Sequence, residues 1–295
     1  MWLLLAFLSA TLLGFYDVFK KKSLKDNAVL PVLFLNTLFS SLIFLPFILL
    51  SAFVPGVLEG TMFDVPVVGW EVHKFIIIKS FIVLSSWILG YFGMKHLPIT
   101  IVGPINATRP VMVLVGAMLV FGERLNLYQW IGVLLAVVSF FMLSRSGKKE
   151  GIDFKHNKWI LFIVLAAVAG LYDKYLMKQL PPMVVQSWYN VYQVFIMCPI
   201  LALLWWPKRK SSTPFRWDWA IIFISIFLCA ADFVYFYALS YEDSMISIVS
   251  MVRRGSVIVS FLFGAMMFRE KNLKSKAIDL ILVLIGMIFL YLGTK

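Results

Sequence analysis

The 295-residue chain reads as an all-α integral membrane protein of ten transmembrane helices, built as two inverted five-helix repeats. Three observations predict this. It is 61% hydrophobic with only 14% charged side chains, and its mean hydropathy is +0.90, far from the composition of a soluble domain. Ten apolar runs occupy most of the chain, each near the roughly 20 residues a helix needs to cross about 30 Å of hydrocarbon. Short motifs then recur at matching places in its two halves.

The runs lie near 2–19, 28–53, 74–93, 98–121 and 126–144, then 158–178, 182–206, 218–240, 244–267 and 274–293. Lipid offers backbone N–H and C=O groups no partner, and the runs are about twice as long as a barrel strand, so each is helical. Run 1 lacks the basic start of a secretory signal and its ending recurs inside the chain, so it is read as a retained helix. The most polar stretch, Arg145 to Asn157, divides the runs five and five. This gives a first repeat over 1–147, a linker over 148–157 and a second repeat over 158–295.

The duplication rests on two matches. GFYDVFKKK, from Gly14 to Lys22, returns 156 positions later as GLYDKYLMK, from Gly170 to Lys178. ITIVGPINATRPVMVLVGAMLVFGE, ending at Glu123, lies without gaps on ISIVSMVRRGSVIVSFLFGAMMFRE, ending at Glu270. An odd number of spans per half forces the second copy through the membrane upside down, the arrangement of many secondary transporters.

The net charge of +12 is not a nucleic-acid signal, because of where it sits. Loops after odd-numbered runs carry eighteen Lys and Arg, among them Lys20–Lys22, Lys148, Lys208, Arg209 and Lys210, against five on the other side. This positive-inside bias puts those loops in the cytoplasm and both termini outside, in the cell (inner) membrane. Cys198 and Cys229 lie within apolar runs with no metal-ligand spacing, so no metal or cofactor is expected.

Four cations remain inside the runs: Lys79, Arg109, Arg253 and Arg254. Such groups cost about 2.5 to 3.5 kcal/mol each on insertion scales and face a cavity or a partner. They exceed the three carboxylates within the runs, Asp17, Asp173 and Asp232. A guanidinium is a permanently charged fork suited to carboxylate or phosphate, so the expected substrate is small and anionic or zwitterionic. Arg109 lies in run 4 beside Asn106 and Thr108, where Pro104 and Pro110 interrupt the helix. Arg253 and Arg254 point about 100° apart; one is read as binding and the other as bracing, with Asp232 a partner. Run 7 carries Gln186, Asn190 and Gln193 in a stripe beside Tyr189, and run 2 carries Asn36 and Ser40. Such stripes either bind a substrate or join helices by hydrogen bonds. Trp87 and Tyr235 are read as vestibule lining or as an interfacial belt. Asp17, Asp173, Asp232 and Lys79 are the coupling or gating candidates, Asp17 and Asp173 being alternatively snorkelling helix ends. A coupling proton would fall on one of the three carboxylates.

GMKHLPITIVGPINATRPVMVLVGAMLVFGERLNLYQWIGVLLAVVSFFML, from Gly93 to Leu143 with its GER turn at Gly122–Arg124, resembles the fourth and fifth helices of EamA-type members of the drug/metabolite transporter superfamily. The stretch from Arg253 to Leu292 is similar to the ninth and tenth. The resemblance implies a central cavity walled by helices 1 to 4 and 6 to 9, with helices 5 and 10 outside, and transport of small polar metabolites. It also implies cytoplasmic termini, opposite to the charge bias. Direction of transport and oligomeric state are left open. The expected function is therefore secondary active transport by alternating access. An integral-membrane enzyme on lipid-linked substrates would need a phosphate cradle, a carboxylate cluster or a Ser/His/Asp set, and the loops show none. A non-transporting scaffold would need no polar groups at the middle of both halves.

Overall fold

A computed structural model of the chain describes residues 2–54, 56–99, 162–177, 179–239, 255–268 and 273–293, together with Val102, Val252, Arg253 and scattered positions between 126 and 142. Its regular elements are helices: α1 (Trp2–Leu24), α2 (Val29–Phe53), α3 (Trp70–His96), α4 (Phe162–Met177), α5 (Pro182–Ile200, continued by a π-turn over Leu201–Trp205), α6 (Ala220–Leu239), α7 (Ser256–Phe268) and α8 (Leu273–Leu292). They answer to runs 1, 2, 3, 6, 7, 8, 9 and 10. Run 4 beyond its first residues, most of run 5 and the polar divide lie outside the described residues.

Two boundaries differ from the hydropathy reading for local reasons. α3 begins at Trp70 rather than 74, because Lys74 pairs with Glu71 at 2.7 Å one turn back and carries the helix into the polar zone. Run 9 is not one helix through its middle. The amide of Gly255 donates to Val252 O in a turn, and α7 starts only at Ser256. Val252 and Arg253 are themselves helical, so Arg253 lies in a helical stretch just ahead of the Gly255 turn that precedes α7.

Three described helices, Val29–Phe53, Trp70–His96 and Pro182–Trp205, are long and apolar enough to cross a membrane. The molecule also turns large apolar side chains outward along them, including Leu42, Leu49, Ile78, Phe81 and Phe195. Bands of this kind are too large for a soluble monomer, and lipid is the medium that suits them.

Side-chain contacts fix the helix directions. Phe19 stacks on Phe223 and Phe15 approaches Phe227, while Ser9 Oγ donates to Ala231 O, so α1 and α6 run antiparallel. Lys21 near the end of α1 donates to Met94 O and Leu97 O at the end of α3, so these two finish on one face. Phe75 near the start of α3 meets Tyr172 and Tyr175 near the end of α4. His73, in the first turn of α3, packs on Trp188 and Tyr192 in the first half of α5. Thus α1, α3 and α5 run one way and α2, α4 and α6 the other. The largest buried clusters lie among α1, α2, α3, α5 and α6.

Candidate functional site

The four helices α2, α3, α5 and α6 share a buried polar band. Gln186, Asn190 and Gln193 fall at i, i+4 and i+7 of α5, one face of a 3.6-residue helix, and all three are no more than 2% exposed. α2 supplies Asn36 and Ser40 and α3 supplies Lys79, Ser80 and Ser86, all buried. Helix packing ties the band together. Ser225 Oγ of α6 donates to Asn36 Oδ1 at 3.0 Å, and Ser80 Oγ of α3 donates to Tyr189 O of α5 at 3.4 Å. The Lys79 ammonium lies 4.9 Å from the centroid of the Tyr189 ring, a cation–π contact.

Part of this polarity is satisfied and part is not. Asn190 Nδ2 donates to Gln186 O within its own helix. Both polar atoms of Gln186 and of Gln193, Nδ2 of Asn36 and Oγ of Ser187 are buried with no hydrogen-bond partner among the described residues. Each such group costs about 1–3 kcal/mol. Membrane stripes that merely join helices satisfy their amides across the interface; the Asn36 oxygen is met in this way by Ser225, whereas the Gln186 and Gln193 amides are not.

Three charged clusters surround the band. In α1, Lys20 Nζ lies 2.9 Å from Asp17 Oδ1 and over the rings of Tyr16 and Tyr91, at 4.4 and 5.3 Å. The first GxYD motif is thereby explained locally. Gly14 admits α7, since a Cβ there would meet Val259 Cβ at 2.5 Å and Ser256 O at 2.9 Å; Tyr16 and Asp17 then seat Lys20. At the other end of α1 and α6, Arg253 is salt-bridged to Asp232 and stacks on Tyr235, 4.3 Å from its centroid. A third cluster joins connections at the Lys-rich face. Asn27 Nδ2 donates to Arg216 O at 2.7 Å, and Asn27 Oδ1 accepts from Arg216 N at 2.9 Å. Lys95 Nζ donates to Asn27 O and to Thr213 Oγ1.

The family model of the EamA-like transporter family matches the chain over residues 1–145 and again over 157–292. The chain belongs to the EamA-like transporter family. It is a multi-pass membrane protein and a transporter of the drug/metabolite superfamily. An uncharacterized transporter of Archaeoglobus fulgidus is similar to it, 24% identical over 276 residues that make up 91% of this chain and 90% of the relative. A solved crystal structure shares its fold with a TM-score of 0.64 at 14% identity, over 99% of this chain and 98% of that one.

In this EamA-like transporter the structure brings some of the sequence-derived site residues together and separates others. Asn36, Lys79, Tyr189, Asn190 and Gln193 share the polar band. Trp87 is half-buried and packs against the two largest apolar clusters. Tyr235 is tied to Arg253, apart from the band. Asp17 and Asp232 each sit in an ion pair. Asn106, Thr108, Arg109 and Arg254 lie outside the described residues, as does the side chain of Asp173. Sequence reading missed Asn27, Lys95 and Ser225. Only the polar pair Asp26–Asn27 immediately before an apolar run signalled the first of them.

Proposed function

We propose that this EamA-like transporter is a secondary active carrier that moves a small anionic or zwitterionic metabolite by alternating access, with ten transmembrane helices in two inverted five-helix repeats around a central cavity. The observation that carries the reading is the buried polar band of α2, α3 and α5, which holds Lys79 on the Tyr189 ring, the unpartnered amides of Gln186 and Gln193, and Asn36 Nδ2. A cation next to uncommitted donors and acceptors suits a substrate that bears a carboxylate or phosphate and further hydrogen-bonding groups. Arg109, Asn106, Thr108 and Arg254 complete the site in this reading, with Tyr189, Asn190, Trp87 and Tyr235 shaping it.

The repeat reading is supported by direction. Counted from the start of each half, α1 and α4, α2 and α5, and α3 and α6 are counterparts, and each pair runs oppositely. The packing echoes the exchange: α1 lies along α6 as α4 lies along α3, and α2 touches α6 as α5 touches α3. Inverted counterparts that rock about a midplane site are the physical basis of alternating access. Asp17, Asp173 and Asp232 are the coupling or gating groups, since a carboxylate whose partner shifts between two states changes its hold on a proton.

The test is a ligand-induced thermal shift screen over amino acids, organic acids, sugar phosphates and nucleotides, followed by uptake in vesicles. Lys79→Met and Gln193→Leu are each expected to weaken the shift and to lower the uptake of the responding compound at least about tenfold. A responding compound that carries no anionic group, or one whose uptake survives both changes, sinks the reading. Impermeant labelling of a cysteine placed at Lys148 against one at Thr61 tests orientation; the charge bias requires Lys148 to be inaccessible from outside.

A further inference from the structure

α5 does not end cleanly. Pro199 forfeits one backbone donor inside it, and two residues later the ladder widens to a π-turn in which Trp206 N donates to Leu201 O at 3.0 Å. Such insertions are uncommon and recur at functional positions. Here the insertion swings Leu203, Leu204 and Trp206 outward and leaves an apolar groove of about 280 Å³ against α2, lined by Phe34, Cys198, Leu201, Ala202 and Trp206.

The mouth of the groove is cationic. The chain passes from Trp206 through Pro207 into Lys208, Arg209 and Lys210, all exposed. The amides of Ser211 and Ser212 both donate to Lys208 O, which folds the three cations into a single turn. The Arg209 guanidinium lies 4.0 Å from the centroid of the Trp206 ring, so one charge is fixed on a residue that also walls the groove. This is the Lys-rich face, where Asn27 holds Arg216.

We propose that this groove binds an anionic phospholipid, one acyl chain lying along Phe34, Leu201 and Ala202 and the headgroup phosphate held by Arg209 with Lys208 and Lys210. Charge complementarity decides the occupant. A free phosphate has no use for an apolar trough, and a zwitterionic lipid gains little from three adjacent cations, each worth about 1 kcal/mol toward an anionic surface. The site lies outside the polar band, so it stands or falls apart from the transport reading.

The experiment uses the full chain purified in a neutral detergent, with retained lipid counted by native mass spectrometry and apparent Tm measured in parallel. Phosphatidylglycerol is expected to be retained and to raise Tm; phosphatidylcholine of the same chains and glycerol phosphate are expected to do neither. Neutralising Lys208, Arg209 and Lys210 to Gln should weaken retention about fivefold per cation. Ala202→Trp fills the trough with every cation in place and should weaken it as well. All four positions are exposed, so neither variant disturbs a packed core. Equal retention of phosphatidylcholine overturns the proposal. So does full retention in the triple Gln variant, and retention untouched by Ala202→Trp reduces the effect to diffuse surface attraction, which overturns it equally.

Discussion

Arg253, a helical residue just ahead of the Gly255 turn, is salt-bridged to Asp232 of α6, with the Tyr235 ring beneath its guanidinium. The contact joins two helices at a point where the backbone is broken by the Gly255 turn. Two charges that would each be costly in hydrocarbon are thereby neutralised together.

Asp232→Ala should lower stability by about 2–3 kcal/mol, because it removes the carboxylate that neutralises a partly buried guanidinium. Adding Arg253→Leu to that variant should recover at least part of the loss. Apparent Tm in detergent checks this, and a double variant no more stable than the single one would show that the pair is not coupled.

Gly14→Ala should cost about 1–3 kcal/mol by overpacking, since the new Cβ falls against Val259 and Ser256 O. The obstruction from Val259 is side chain and that from Ser256 is backbone. Val259→Ala should therefore rescue the variant only in part, again read from thermal denaturation. Full tolerance of alanine at position 14 would mean that α1 and α7 do not approach so closely.

Gln193→Leu should separate stability from function. Its amide is fully buried without a partner, so an apolar replacement of similar size is expected to leave stability unchanged or raise it by about 1 kcal/mol. Substrate uptake should fall at least about tenfold, the equivalent of one lost hydrogen bond to substrate. Lost stability with unchanged uptake would make Gln193 a structural residue.

Asn27→Ala removes both side-chain hydrogen bonds to the Arg216 backbone and the one to Ala28 N. A loss of about 1–3 kcal/mol is expected, concentrated locally. Trypsin should cut sooner at Lys208, Arg209, Lys210 or Arg216, which lie in the connection that Asn27 pins, while global Tm changes less. Identical cleavage rates in parent and variant would show that the connection is held by other contacts.

Helix positions were legible in the sequence because lipid imposes one strong rule: a run of about 20 apolar residues must satisfy its own backbone. α2 at Val29–Phe53 and α6 at Ala220–Leu239 lie almost where hydropathy puts them. The stripe of Gln186, Asn190 and Gln193 was equally legible, since helical spacing alone places those three on one face. The break at Gly255 and the widening after Pro199 were not. A turn or a π-insertion keeps the apolar composition of the segment, so periodicity and hydropathy carry no trace of either.

Charge showed the same division. Sequence reading found that Asp17, Asp232 and Arg253 must be explained, because an ionised group in an apolar run is costly wherever it points. Asp17 keeps Lys20, one turn on in the same helix, a spacing visible in the sequence; that it is Arg253 which pairs with Asp232, already named as a partner for one of the two arginines, depended on distances between helices. The sequence by itself determined that this is a helical membrane protein with a charge-rich face and buried polar stripes, since those follow from transfer free energies residue by residue. Only the tertiary structure decided which stripes meet and which amides stay open, because hydrogen bonds and ion pairs act over about 3–4 Å and no local pattern encodes that.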